Sequence, residues 1–216
     1  MSKYAEPNDV ISDLRKDEKV RHELGFLGPQ NYKYTLKDFA GMPLRTKVGL
    51  IYYHHRRIKF PQHTSAKEAK HRLGQSAFDR AVKVSIVRNP FDYLISHFFH
   101  SNRRQPSPGT SNDFAQWLAL NPWVFSRNNQ FYFVDGVDVV DHYIRYEAFN
   151  EDILKLEAIK PKLSGLAETF SGISAKAGVR PPRASIQSLF KEQHDLIAAV
   201  RFFHQSQLER FNYPLP

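Results

Sequence analysis

The feature that most constrains the fold is a junction near the middle of the chain, where Ala81-Val82-Lys83-Val84-Ser85-Ile86-Val87 runs directly into Arg88-Asn89-Pro90. The first part is short and rich in β-branched residues, as a strand buried on both faces should be. Pro90 suits the first position of a helix, where its missing N–H is not needed, and Asn89 suits the cap before it. A strand feeding a helix in this way leaves the helix's first N–H groups, and the positive end of its dipole, at the carboxyl edge of a parallel sheet. Arg88 adds a bidentate cationic fork at that corner. Ser96 lies seven residues after Asn89, about two turns on, and so shares its face. Together they make a plausible phosphate pocket. The same spacing also fits an arginine paired with a nearby carboxylate and a serine bonded to its own helix.

Around this corner, strands and helices alternate. A second buried strand is expected over 137–146, followed by a helix from about 150. Helices are also expected over 13–24, over 36–53 with a kink or restart at Pro43, over 90–99 and over 114–120. Ser65 and Glu68 have the spacing of a capping box at the start of another helix, with Glu68 and Arg72 four apart and Gly74 at its end. The last helix is expected over 185–211, because apolar residues at 186, 189, 190, 196, 197, 200, 208 and 211 keep a period of 3.6. Segments 102–113 and 171–182 read as loops. The alternation predicts one α/β domain of 216 residues, a central parallel sheet flanked by helices.

Charge narrows the function. Thirty-one Lys+Arg against 22 Asp+Glu give a net charge of +9, which concentrates anions without choosing among them. The absence of cysteine excludes a disulfide framework, a thiolate nucleophile and Cys-based zinc sites. No apolar run approaches the roughly 18 residues needed to span a bilayer, and residues 1–8 are polar, so a soluble cytoplasmic protein without a membrane span is expected. Asp135, Asp138 and Asp141 fall on alternating faces of a β-like segment, and no metal site is expected. The cationic run His54-His55-Arg56-Arg57-Ile58-Lys59 reads as a solvated helix end, or as a patch for an acidic glycan or nucleic-acid phosphate. No recognised nucleic-acid module surrounds it, and nucleic acid is not an expected partner.

The stretch Lys83 to Ser96, with its Arg88-Asn89-Pro90 and Ser96, resembles the 3′-phosphate-binding motif of the Golgi-type and bacterial sulfotransferase family. Other segments agree with that family in order. His63-Thr64-Ser65-Ala66 is similar to its segment ahead of the strand, and Phe114-Ala115-Gln116-Trp117-Leu118 to its Phe-x-x-Trp-Leu helix. Gln130, the run Val140 to Glu147 and Asp152 match its Gln…Val-Asp-x-Ile-x-Arg-x-Glu…Asp pattern, and Phe211-Asn212-Tyr213 resembles its closing Phe-Gly-Tyr. The likeness covers about residues 60–213 and leaves residues 1–30 as an atypical segment. It implies a P-loop-NTPase-like sulfotransferase core, possessing or lacking the family's first strand and loop, with 3′-phosphoadenosine-5′-phosphosulfate as sulfate donor and a hydroxyl, on a carbohydrate, as acceptor. Arg88 and Ser96 would hold the 3′-phosphate, with Arg180 beside the nucleotide in a loop it shares with Arg183. Glu147 would be a supporting carboxylate.

His63 is the expected general base, because it precedes a helix start whose dipole disfavours imidazolium. His97 and His100, on the helix of Ser96, are alternative bases or simple helix residues. Two departures stand out. The family's Lys-x-Gly-Gly-Thr-type loop for the 5′-phosphosulfate is not found; its place falls on the acidic stretch 13–17. Gln207 also stands where the family has Asp. Either another cation among Lys16, Lys33, Arg56, Arg57 and Lys59 replaces the loop, or the protein is a catalytically impaired relative that binds nucleotide or an anionic polymer.

Overall fold

The structure, a computed structural model, describes residues 2–15, 18–53, 57–104, 109–171 and 180–216. In chain order its main elements are α1 (Glu18–Glu23), α2 (Leu36–Phe39), α3 (Leu44–Tyr52), α4 (Ala66–Leu73), α5 (Gln75–Arg80), β1 (Val84–Val87), α6 (Pro90–Ser101), α7 (Ser111–Leu120), α8 (Asn129–Tyr132), β2 (Phe133–Val134), β3 (Val137–Asp138), β4 (His142–Arg145), α9 (Phe149–Ile159), α10 (Leu166–Ser171), α11 (Ile186–Phe190) and α12 (His194–Arg210). The chain is mostly helical with a small parallel sheet, and it gathers into two compact units, residues 1–82 with 133–139, and residues 83–132 with 140–216.

In the first unit the expected helix over 36–53 restarts at Pro43, giving α2 and α3. The Ser65 hydroxyl caps α4 by accepting the Glu68 N–H at 3.2 Å. The return half of the box is replaced by a 2.6 Å ion pair from Glu68 to Arg72. Gly74, at φ +85°, ends α4 and begins α5, a helix too short for its one buried residue, Phe78, to show a period. The expected strand over 137–146 is interrupted. Asp135 and Gly136 both have positive φ (+50° and +82°), the backbone of a tight hairpin, so Val137 pairs antiparallel with Val134.

The second unit is built on β1 and β4, paired parallel from Val84↔His142 to Val87↔Arg145. Among the described residues the parallel sheet has these two strands, not the broader central sheet expected. The reason is local: among the described residues α2 to α5 follow one another with no strand between them, and strands alternate with helices from β1 to α9. Helix α6 buries Phe91, Leu94, Ile95 and Phe98, the i, i+3, i+4, i+7 stripe of a core-facing helix. Against it pack Phe114 and Leu118 of α7, Leu189 and Phe190 of α11, and Val200 and Leu208 of α12. The long helix expected over 185–211 is two helices, broken where Glu192 adopts φ +61°, with a further kink at His204. The apolar period crosses the break because both pieces bury their faces in one cluster. Residues 105–108 and 172–179, within the expected loops, lie outside the described residues. Among the described residues no helix is long and apolar enough to cross a membrane.

Candidate anion site at the start of helix α6

The corner after β1 is assembled from short-range rules. Asn89 caps α6 by accepting the Phe91 N–H at 3.0 Å, and Pro90 occupies the first helical position. The Asn89 N–H donates to Glu147 Oε1 at 2.7 Å, and Glu147 Oε2 accepts from the Tyr213 hydroxyl at 3.0 Å. Burial, and after it the Glu147 charge, push the Tyr213 hydroxyl well above its ordinary range, so it stays a donor. Glu147 thus ties the strand end, the helix cap and the chain's end together. Its neighbour Arg145 makes a two-pronged pair with Asp152, Nε to Oδ2 and Nη2 to Oδ1, each 2.7 Å. The hydrogen bond from Arg145 lowers the Asp152 carboxyl to about 2.

Arg88 points its Nε and Nη2 at Asp92 Oδ2, both at 2.5 Å, and its guanidinium lies 4.3 Å from the centre of the Tyr146 ring. Arg180 donates from Nη1 to the other oxygen, Asp92 Oδ1, and from Nε to the Ala184 carbonyl at 2.6 Å. One carboxylate in the first turn of α6 therefore gathers two guanidiniums that are 92 residues apart in sequence. The group carries a net positive charge beside a helix N-terminus, and each fork keeps further N–H donors beyond those on Asp92. Ser96 is half-buried on the same helix, and its hydroxyl has no hydrogen-bond partner among the described residues. The arginine is thus carboxylate-paired, and the serine is not bonded to its helix.

Asp92 is nearly invisible in the sequence. Its only signal was the four-residue interval to Arg88, in the less favoured order for a helix pair. The alternative bases are both engaged: Arg127 Nη1 contacts His97 Nε2 at 2.8 Å, and Arg103 Nη1 contacts His100 Nε2 at 2.7 Å. Of Asp135, Asp138 and Asp141, two pair with lysines, Asp135 with Lys67 at 2.6 Å and Asp141 with Lys83 at 2.9 Å.

His63 belongs to the first unit. It is exposed, has a left-handed backbone (φ +57°), and lines a cavity of about 250 Å³ with Asp13, Arg15, Tyr32 and Phe60. In the acidic stretch where a phosphosulfate loop would fall, the Leu14 N–H donates to Glu18 Oε1 at 2.5 Å and the Arg15 N–H to Asp13 Oδ1 at 2.7 Å. These donors face the chain's own carboxylates. Of the replacement cations, Lys16 and Arg56 lie outside the described residues, as do His54 and His55. Arg57 donates to the Leu50 and Ile51 carbonyls at the end of α3, at 2.8 and 3.0 Å. Lys59 pairs with Asp38 at 2.7 Å, holding that carboxyl down at about 2. Lys33 sits 5.2 Å from the centre of the Tyr32 ring. No protein-family model matches the chain, nor does any curated protein or solved structure.

Proposed function

We propose that this chain transfers a sulfuryl group from 3′-phosphoadenosine-5′-phosphosulfate to a hydroxyl of a carbohydrate, on a sulfotransferase-type core to which β1, α6 and β4 belong. The observation that carries the reading is the corner itself: two guanidiniums drawn together on Asp92 at the capped start of α6, with an unbonded Ser96 hydroxyl two turns along. In this reading Arg88, Arg180 and Ser96 hold the 3′-phosphate through charge-assisted hydrogen bonds. His63 accepts the proton of the acceptor hydroxyl as its oxygen bonds to sulfur. The sulfur–oxygen bond to the 5′-phosphate breaks, and adenosine 3′,5′-bisphosphate departs. The protein's contribution is positioning and charge stabilisation, as in phosphoryl transfer.

A second reading has its own observation. Leu14 and Arg15 turn their N–H groups to Glu18 and Asp13, and losing even one oxyanion-type donor costs about 10²–10³ in rate. On that reading the chain binds nucleotide or an anionic polymer without fast turnover. Calorimetric titration with adenosine 3′,5′-bisphosphate separates binding from its absence: wild type binds and Arg88→Ala does not. Equal titrations of the two proteins would remove the 3′-phosphate site. A sulfate-transfer assay over a glycan panel then distinguishes the two readings, and full activity in His63→Ala would remove His63 from the mechanism.

A further inference from the structure

The far half of α6 carries a second cationic cluster, built differently from the first. Arg127 Nη1 donates to His97 Nε2, and His97 Nδ1 contacts Ser101 Oγ at 3.1 Å. A guanidinium can only donate, so this contact needs a neutral imidazole with its proton on Nδ1. The Arg127 guanidinium also lies 5.3 Å from the centre of the Trp123 ring. His97 has two indoles near it, Trp117 at 5.6 Å and Trp123 at 5.5 Å between ring centres. One turn along the helix, Arg103 Nη1 meets His100 Nε2 and, at 3.1 Å, the His100 carbonyl.

These two arginines keep different company from the acid-paired ones, as Arg57, on carbonyls, and Arg80, on the Ser76 hydroxyl, also do; among the described residues only Arg127 of the four adds an exposed indole. Arg21, Arg72, Arg88, Arg145 and Arg180 each pair with a carboxylate. Among the described residues Arg103 and Arg127 are held by neutral groups, an imidazole, a carbonyl and an indole face, and neither is paired with an acid. They are oriented cations whose countercharge the described chain does not supply. Beside Arg127, Trp123 is 49% exposed, a large apolar ring left open to solvent on the turn Pro122–Phe125.

We propose that this face of α6 and the adjoining turn bind an acidic saccharide, with a carboxylate or sulfate on Arg127, the next acidic group on Arg103, and a pyranose face against Trp123. A sugar ring is apolar on its face and polar at its edge, and that matches an indole bordered by guanidinium donors. A nucleic-acid strand would call for a longer track of cations and several stacking rings in series. Here one cation lies beside one open indole, and the second meets α6 about a turn further along, at His100. As an acceptor-side subsite the site rests on the sulfuryl-transfer reading; the binding itself does not.

The test uses the full chain with four probes: hexagalacturonate, a heparin hexasaccharide, neutral maltohexaose and the octanucleotide dT8. Binding is measured for wild type, Arg127→Ala and Trp123→Ala, with melting curves to confirm that both variants fold and Arg127→Gln in reserve. An acidic hexasaccharide should bind at least about tenfold more tightly than maltohexaose, and each variant should lose about tenfold, the scale of one charged hydrogen bond. Hexagalacturonate and heparin tell carboxylate from sulfate as the preferred anion. Adenosine 3′,5′-bisphosphate affinity should not change. The proposal fails if wild type binds neither acidic probe, if folded variants bind as well as wild type, or if dT8 binds more tightly and is lost in the same variants. Acidic-saccharide binding that depends on Arg127, in a protein with no affinity for adenosine 3′,5′-bisphosphate, would sink the sulfuryl-transfer reading and leave this site standing.

Discussion

The two units hold their chain in different ways. In the second, one cluster has Phe91, Leu94, Ile95, Phe98, Phe114, Leu118, Leu189 and Phe190 at its centre, each 2% exposed or less, with Phe99 and Leu208 at its margin at 8%. In the first, the buried apolar residues among those described are Ile11, Leu50, Phe60, Phe78 and Val134, and none is below 3%. Much of what joins the first unit's distant segments is polar: Gln30 and Asn31 side chains on the carbonyls of residues 6, 7 and 9, and the Lys59–Asp38 and Lys67–Asp135 pairs. Burial of a large apolar side chain contributes about 1.5–3 kcal/mol, whereas an exposed ion pair contributes at most about 1. The second unit is therefore the rigid one, and the candidate anion corner is mounted on it. His63 is carried by the looser unit.

The strongest way to break this comparison is to hollow out the dense cluster. Phe91 is fully buried and meets Phe190 edge-on at 5.0 Å. Phe91→Ala should cost about 4 kcal/mol in denaturant unfolding of the second unit. Leu50→Ala, in the first unit, should fall at the lower end of the large-to-small range, about 2 kcal/mol, because sparse surroundings can collapse into the gap. Equal costs for the two substitutions would erase the contrast.

A smaller effect tests the polar frame of the dense unit. Asp152 accepts from the Arg145 backbone N–H as well as from its guanidinium, and its side chain is 7% exposed. Asp152→Ala takes the acceptor from the Arg145 backbone N–H and leaves the guanidinium only its longer 3.4 Å contact with Glu151, and should cost about 3 kcal/mol. The charge has a pH signature too. Its folded pKa, about 2, lies below the ordinary 3.8, so its stabilisation is complete above pH 4 and is lost as pH falls towards 2. Asp152→Asn should lack that part of the acid transition, seen as a flatter midpoint between pH 4 and 2.

The same contrast explains what could be read in the sequence. The cap Asn89-Pro90, the Ser65 cap and the restart at Pro43 were legible because each depends on neighbours within one turn. A parallel sheet in this part of the chain was legible from the strand–helix alternation, but the expected burial of both strands was not met: Ile86 of β1 is exposed and β4, His142–Arg145, buries only Ile144. The split of 137–146 also had a local signal, Asp135-Gly136, outweighed by the length of the apolar run behind it. Glu192 had none: a left-handed glutamate carries no sequence mark, and an unbroken apolar period ran across it. Asp92 joining Arg180, and His97 joining Arg127, are contacts over 88 and 30 residues, set by tertiary packing that no local pattern encodes.

Mild acid should erode the dense unit first. His204 is buried at a kink in α12, with Nδ1 3.2 Å from Gln207 Oε1. Burial lowers its pKa below the ordinary 6.5, as burial and then the Arg127 charge do for His97. In each case the unfolded chain takes up the proton first. Stability is full above pH 6.5 and falls below it, by up to about 1.4 kcal/mol per pH unit for His204. The unfolding midpoint of the second unit should therefore drop from pH 7 to 5, and drop less in His204→Gln. An identical pH slope in that variant would assign the loss to other groups.

The smallest effect sharpens the comparison from the other side. The Ser65 hydroxyl satisfies one N–H of α4, a helix of eight residues with no buried side chain. Ser65→Ala should cost about 1 kcal/mol, and Ser65→Asp should recover it, since aspartate caps as well and adds a favourable charge at the dipole's positive end. Because α4 contributes no residue to the core, its fraying has little to pull on. Amide exchange should quicken at Glu68 and Ala69, whose N–H groups bond to the Ser65 side chain and carbonyl, while the unfolding midpoint of the second unit stays in place. A shift of that midpoint by the full 1 kcal/mol would mean that the units unfold as one cooperative body. The loosely held segment bearing His63 would then be as firm as the corner bearing Arg88.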